Sequence, residues 1–264
     1  MKAMYEKRKT SYEEIMNKKL KNFFIIVQIV TITMPIGKGA ILEPSRIYIM
    51  YGTDIHGRKT LIGIYIEEKE NSRYWLEEIE KIKRRGLEKI LYVSTERNKR
   101  LEQALKIVYN PIVKISINEE VERIAKYTQY RWKATGEQEL VKAYLSDTEE
   151  EYAEIMKALK IKYKDNKIGS ELLEKFEKET QKQIKEPKEI RHLICSYSTK
   201  RRLKQMIGNV TKEFEEVEDL KDLVEKKKEY FSTFEKTRIY SKERWTQMLN
   251  QIYETKYEEI KEYV

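Results

Sequence analysis

The chain has 264 residues, and 54 Lys and Arg against 45 Asp and Glu give it a formal net charge of +9. Apolar residues make up 40% and include 19 Tyr, which can fill a core and which exclude a disordered chain. One Cys and two His exclude a disulfide framework, a cysteine zinc ribbon and a His-rich metal site.

The first 34 residues change from a basic segment to an apolar one. Residues 1–21 carry seven Lys and Arg against three Glu, and they predict a basic arm or a helix that Ser11 caps. The run 22–34 is dense in β-branched and aromatic residues and predicts a buried strand. We expect Pro35, Gly37 and Gly39 to end that strand.

The next part of the chain alternates between strand and helix patterns. Asp54–Gly57 has the composition of a hairpin turn, and Gly86 stands where a helix commonly ends. The pattern predicts strands over 46–51 and 60–66, a helix over 75–82 and a strand over 89–93. A helix over 101–108 and a strand over 112–117 follow.

The remainder of the sequence predicts almost only helices, over about 119–133, 137–163, 169–184, 197–212 and 217–262. Three meandering strands followed by alternating helices and strands predict an α/β fold with a mixed five-stranded sheet and flanking helices. This order is shared by ribonuclease-H-like nucleases and by unrelated α/β folds. The predicted parts are a basic arm over 1–21 and the first part of the core over 22–133. A helical insertion follows over 134–190, and a core-completing helix with C-terminal helices occupies 191–264.

No glycine-rich phosphate loop of the GxxxxGK[ST] or GxGxxG type occurs, so we predict no cofactor. No apolar run approaches the length of about 18 residues that a membrane span needs, and the start lacks a complete signal peptide. We therefore expect a cytoplasmic protein without membrane contact. The bias to Lys, Glu, Ile and Tyr is typical of thermophile proteins.

Residues 52–92 carry the most specific pattern in the chain. The hairpin turn reads Asp54-Ile-His-Gly-Arg-Lys59, a helix with Trp75 follows, and Arg84-Arg-Gly86 precedes the next strand. This pattern resembles the Mutator-type insertion-sequence transposases, and the resemblance extends more weakly over residues 22–260. It implies a ribonuclease-H-like core in which three carboxylates hold two metal ions.

The three carboxylate positions implied by the resemblance fall on Gln28, Glu96 and Arg201. Only Glu96 offers a carboxylate, and Arg201 repels a divalent ion at close range. A shifted alignment does not restore the site, because residues 23–34 and 197–212 contain no acid. We therefore predict no metal here and a catalytically inactive pseudoenzyme, a domesticated transposase that is not an enzyme.

Two basic segments are candidates for contact with nucleic acid. One interleaves cations with aromatic rings, and the other is a cluster on the helix predicted over 197–212. The candidate nucleic-acid-binding residues are Lys126, Tyr130, Arg131, Lys133, Lys200, Arg201, Arg202 and Lys204. The alternatives are an amphipathic helix whose rings enter the core, for the first segment, and a solvated helix face, for the second.

These patterns favour a transposase-derived protein that binds nucleic acid, DNA rather than RNA, through phosphates. One alternative is a non-enzymatic docking subunit of a larger assembly such as a ribosome, a chromatin particle or a virus-host complex. A second alternative is a residual metal-dependent nuclease that uses Glu96. A protein partner and a homodimer are compatible with each of these hypotheses.

Overall fold

The computed structural model describes residues 11–38, 41–66, 73–127, 133–212, 217–236 and 240–263. The first half contains a short helix, three strands, and then helices that alternate with two more strands. In chain order these are α1 Ser11–Asn17, β1 Phe23–Lys38, β2 Ile41–Thr53, β3 Lys59–Ile66, α2 Tyr74–Arg84, β4 Lys89–Thr95, α3 Lys99–Val108 and β5 Ile112–Ile115.

Helices follow the fifth strand. They are α4 Asn118–Ala125, α5 Lys133–Tyr144, α6 Glu149–Tyr163, α7 Lys167–Gln183, α8 Lys188–Ile194, α9 Tyr197–Lys212, α10 Leu220–Lys226, α11 Lys228–Lys236 and α12 Lys242–Ile260. No helix in the described ranges combines the length and the apolar character needed to cross a bilayer.

The strands form one mixed sheet in the order β3-β2-β1-β4-β5. Strand β1 pairs antiparallel with β2 and parallel with β4, and β4 pairs parallel with β5. The predicted fold class, a mixed five-stranded sheet with flanking helices, is therefore confirmed.

The sheet is covered on both faces, which explains why β1 is a nearly continuous apolar run. Helices α2 and α3 pack on one face through side chains such as Trp75 and Leu101. The other face carries α9, α10 and α11, with Leu203 and Phe234 against the strands, and also α8 and α12. Helices α4 to α7 share a separate apolar cluster of their own.

Strand β1 continues through Pro35 and Gly37, so the prediction that these two residues end it is wrong, and Gly39 lies outside the described residues. Pro35 lies opposite Pro44 of β2, and β4 pairs with β1 only as far as Gln28. Beyond Gln28, no strand of the described residues pairs with the side of β1 that faces away from β2, so a missing N–H on that side removes no ladder hydrogen bond. The two strands form an extended arm that reaches past β4.

Three predicted helices also have different bounds. Helix α4 ends at Ala125, the span 137–163 is divided between α5 and α6, and the span 217–262 is divided among α10, α11 and α12. The division at α6 has a local cause, because the Thr148 hydroxyl accepts a hydrogen bond from the backbone N–H of Glu151 and caps the new helix.

Candidate nucleic-acid interface

Gln28 and Ser94 lie side by side where β1 and β4 pair in parallel. Both are buried, and both donate hydrogen bonds to the last carbonyls of α8. The Gln28 amide donates to the Leu193 oxygen at 2.9 Å, and the Ser94 hydroxyl donates to the Ile194 oxygen at 2.7 Å. These two polar side chains therefore anchor α8, which leads into α9.

A chain of ion pairs joins the end of β4 to α9 and α4. Glu96 directly follows β4 and pairs with the ammonium of Lys200 on α9, which is only 3% exposed. The same ammonium lies 3.1 Å from a Glu122 carboxylate oxygen of α4, and the Lys204 ammonium lies 2.7 Å from the other oxygen. We call Glu96, Lys200, Glu122 and Lys204 the ion-pair chain.

Burial raises the pKa of the Glu96 carboxyl above its ordinary value, while the Lys200 ammonium acts in the opposite direction. Its carboxylate is thus committed to a cation that the chain itself supplies. A two-metal centre needs several hard oxygen ligands around each ion. In the described ranges no group of three His, Cys, Asp or Glu is arranged to hold a metal, and the residues around Glu96 do not fit the centre that the resemblance implies.

The predicted basic cluster of α9 is divided by the helix. Lys200 points inward, whereas Arg201, Arg202 and Lys204 are exposed. Lys204 is paired with Glu122, but neither Arg201 nor Arg202 forms an ion pair with any carboxylate in the part of the chain that the structure describes. The cluster therefore supplies two uncompensated guanidinium groups at the surface.

The first basic segment is only partly within the described residues. Lys126 is exposed just after α4, and the neighbouring Tyr127 is 42% exposed, so the Tyr127 ring does not enter the core. Tyr130 and Arg131 lie outside the described residues, and Lys133 opens α5 with its side chain outside them.

Helix α4 and α9 are neighbours because Glu122 pairs with both Lys200 and Lys204. Lys126 lies one helical turn beyond Glu122, so the exposed cations of the two helices belong to one surface. We call Lys126, Arg201 and Lys204 the α4–α9 surface.

The sequence analysis missed a second basic region on the other side of α9. A groove of about 730 Å³ runs between α9 and the α10–α11 pair. Arg202 lines it from α9, and the run Lys226-Lys227-Lys228 lines it from the junction of α10 and α11. Three consecutive lysines were the signal in the sequence that pointed to this region.

The model of a family described as "Transposase, Mutator family" matches residues 2–216. No curated protein matches the chain. The matching family is one of enzymes that cut nucleic acid, so the prediction that the chain is not an enzyme is contradicted and is corrected here.

Proposed function

Because the chain belongs to the Mutator family of transposases, we propose that it binds nucleic acid, DNA in preference to RNA, through phosphate contacts of the α4–α9 surface. Cations that neutralise phosphates release condensed counterions, which makes such binding strong at low salt and tolerant of sequence. Exposed cations that the protein's own carboxylates do not neutralise contribute most to such binding, so we expect Lys126 and Arg201 to contribute more than Lys204, which pairs with Glu122.

One observation carries the proposal: Arg201 is exposed on a helix that has five Lys and Arg and no acid, and no described carboxylate neutralises it. A guanidinium also matches the geometry of a phosphate with two parallel hydrogen bonds. Lys200 is not part of the surface, because it is buried and paired with Glu96 and Glu122.

The ion-pair chain holds the surface in place. Glu122 lies between Lys200 and Lys204, which fixes the end of α4 against α9. Cations held on two packed helices lose less side-chain and backbone entropy on binding than cations on a flexible arm. The predicted protein partner and homodimer stay predictions.

The test is fluorescence anisotropy of a labelled DNA duplex, titrated with the protein at several salt concentrations. We expect the double variant Lys126→Ala/Arg201→Ala to weaken binding and to reduce the slope of log K against log salt by about 1.8, or about 0.9 for each lost phosphate contact. An RNA duplex of the same length measures the preference for DNA.

The matched control is Lys99→Ala/Lys106→Ala on α3, which removes the same charge from exposed residues on the opposite face of the sheet. We expect its slope to equal that of the wild type. Absence of duplex binding at low salt, or an equal effect of both double variants, would contradict the proposal.

A further inference from the structure

The groove between α9 and the α10–α11 pair is a second place where cations gather. Its volume of about 730 Å³ lies in the range of natural ligand sites. Arg202 and Gln205 line it from α9, and Lys226, Lys228 and Tyr230 line the opposite wall. The two walls therefore present cations and hydrogen-bond donors to the same space.

Four cations, Arg202 and Lys226–Lys228, and two carboxylates, Glu225 and Glu229, line the groove, so its carboxylates do not balance its cations. Glu225 accepts hydrogen bonds from the backbone N–H and, at 3.3 Å, from the hydroxyl of Ser11, so it is engaged with α1. Lys226 pairs with Asp222 at 3.0 Å. Arg202 and Lys228 are exposed, and neither pairs with a carboxylate within the ranges that the structure describes.

A further cation, Lys59, lies close enough to Arg202 to feel its positive charge. The Lys59 ammonium, at the start of β3, lies 4.6 Å from the centroid of the Phe234 ring and 5.9 Å from that of Tyr51. Burial, with a smaller contribution from the positive charge of Arg202, lowers the pKa of Lys59 to about 8. Cations crowded in this way raise the free energy of the empty site, and a bound anion relieves that cost.

We propose that this groove, the α9–α11 groove, binds phosphate groups of a nucleic-acid strand that also contacts the α4–α9 surface. Arg201 and Arg202 are consecutive on α9, so the surface and the groove adjoin on the same helix. The Arg202 guanidinium supplies two parallel donors to a phosphate, and Lys228 supplies a point charge. This inference rests on the proposed function and adds a second contact region to it.

The experiment uses the full chain and the double variant Arg202→Ala/Lys228→Ala, which leaves every residue of the α4–α9 surface intact. In the anisotropy titration we expect a slope reduced by about 1.8 on duplex DNA or about 1.4 on a single strand. Both residues are exposed, so thermal unfolding of the variant should match the wild type. Lys99→Ala/Lys106→Ala is again the control.

A competition experiment with inorganic pyrophosphate tests whether the groove binds free phosphate compounds as well as the phosphates of a nucleic acid. We expect it to compete with labelled DNA on the wild type and less on Arg202→Ala/Lys228→Ala. If that variant binds DNA like the control while the surface variant is weakened, the groove proposal is wrong and the proposed function stands. If no form binds nucleic acid, both are wrong, even if pyrophosphate alone raises the melting temperature.

Discussion

The ion-pair chain predicts that replacing Lys200 by Met destabilises the fold strongly. The change removes the ammonium that lies between Glu96, which is 9% exposed, and Glu122. At the observed 3.1 Å the attraction between Lys200 and Glu122 is about 5 kcal/mol for an effective dielectric constant near 20. Burying each ion costs several kcal/mol, so the intact ion-pair chain contributes little net stability to the fold.

Removing one ion of the ion-pair chain has a different outcome from replacing both ions of a buried pair. Lys200→Met leaves the buried Glu96 carboxylate without its cation, while Glu122 keeps Lys204, and we expect the free energy of unfolding to fall by about 3–5 kcal/mol. The double variant Glu96→Gln/Lys200→Met also removes the negative charge of Glu96, and we expect it to recover most of that loss. Lys204→Met is the control, because the Lys204 side chain is 45% exposed and its pair with Glu122 contributes about 1 kcal/mol or less.

The loss should also depend on pH. Burial already raises the pKa of Glu96, and removing the Lys200 ammonium raises it further. The folded variant therefore binds a proton more tightly than its unfolded chain, so its stability falls as the pH rises through the folded pKa. We expect Lys200→Met to be closer to the wild type at pH 5 than at pH 8.

The assay is guanidinium unfolding followed by the fluorescence of the three Trp, with wild type, both Lys200 variants and the control under the same conditions. A free energy of unfolding for Lys200→Met within 1 kcal/mol of the wild type at pH 8 would refute the reasoning. So would a double variant that is no more stable than Lys200→Met.

Three further predictions concern residues outside the ion-pair chain. Burial, and to a smaller extent the Arg244 charge, lowers the pKa of His192 to about 4. At a pH below the ordinary histidine pKa of about 6.5, unfolding therefore takes up a proton. Stability should fall by up to about 3 kcal/mol from pH 6.5 to pH 4, and His192→Gln should lack that part of the pH dependence in unfolding titrations. Gly57→Ala should cost about 1–3 kcal/mol in chemical denaturation, because Gly57 has a φ of +71° and its added Cβ would lie 2.9 Å from the Trp245 ring; an unchanged midpoint would contradict this. Arg85 donates to three backbone carbonyls at 2.7–3.0 Å, so Arg85→Lys should lower the free energy of unfolding by about 2 kcal/mol although the charge is kept; a loss below 0.5 kcal/mol would show that a lysine can replace the guanidinium.

The sequence predicted the elements whose signals are local. The hairpin turn is present because the Asp54 carboxylate accepts hydrogen bonds from the backbone N–H groups of His56 and Arg58, both at 2.8 Å. Gly86 follows α2 with a φ of +105°, as expected for a residue that ends a helix. Pro35 misled the prediction because its effect depends on which strand lies beside it, which the sequence does not state.

The divided helices show a signal that was available and missed. Thr148 with Glu151 three residues later has the composition of a helix N-terminus, and Asp219 with Asp222 repeats that pattern at α10. In each pair the first side chain accepts a hydrogen bond from the backbone N–H of the second residue. Capping residues inside a long helical pattern therefore mark new helices more reliably than the periodicity marks one helix.

The basic cluster of α9 shows where prediction of the site from sequence stops. Tyr197, Leu203 and Met206 are buried and lie on one face of α9. Lys200, three residues after Tyr197 and three before Leu203, lies on the same face. Helical phase thus indicates that Lys200 turns inward and needs a carboxylate, because a buried ammonium is almost never unpaired. Phase cannot identify that carboxylate, since Glu96 lies 104 residues away and reaches Lys200 only through the packing of α9 on β1. The same phase directs neighbouring cations to opposite sides of α9, so that one run of basic residues serves an internal ion pair, a surface and a groove.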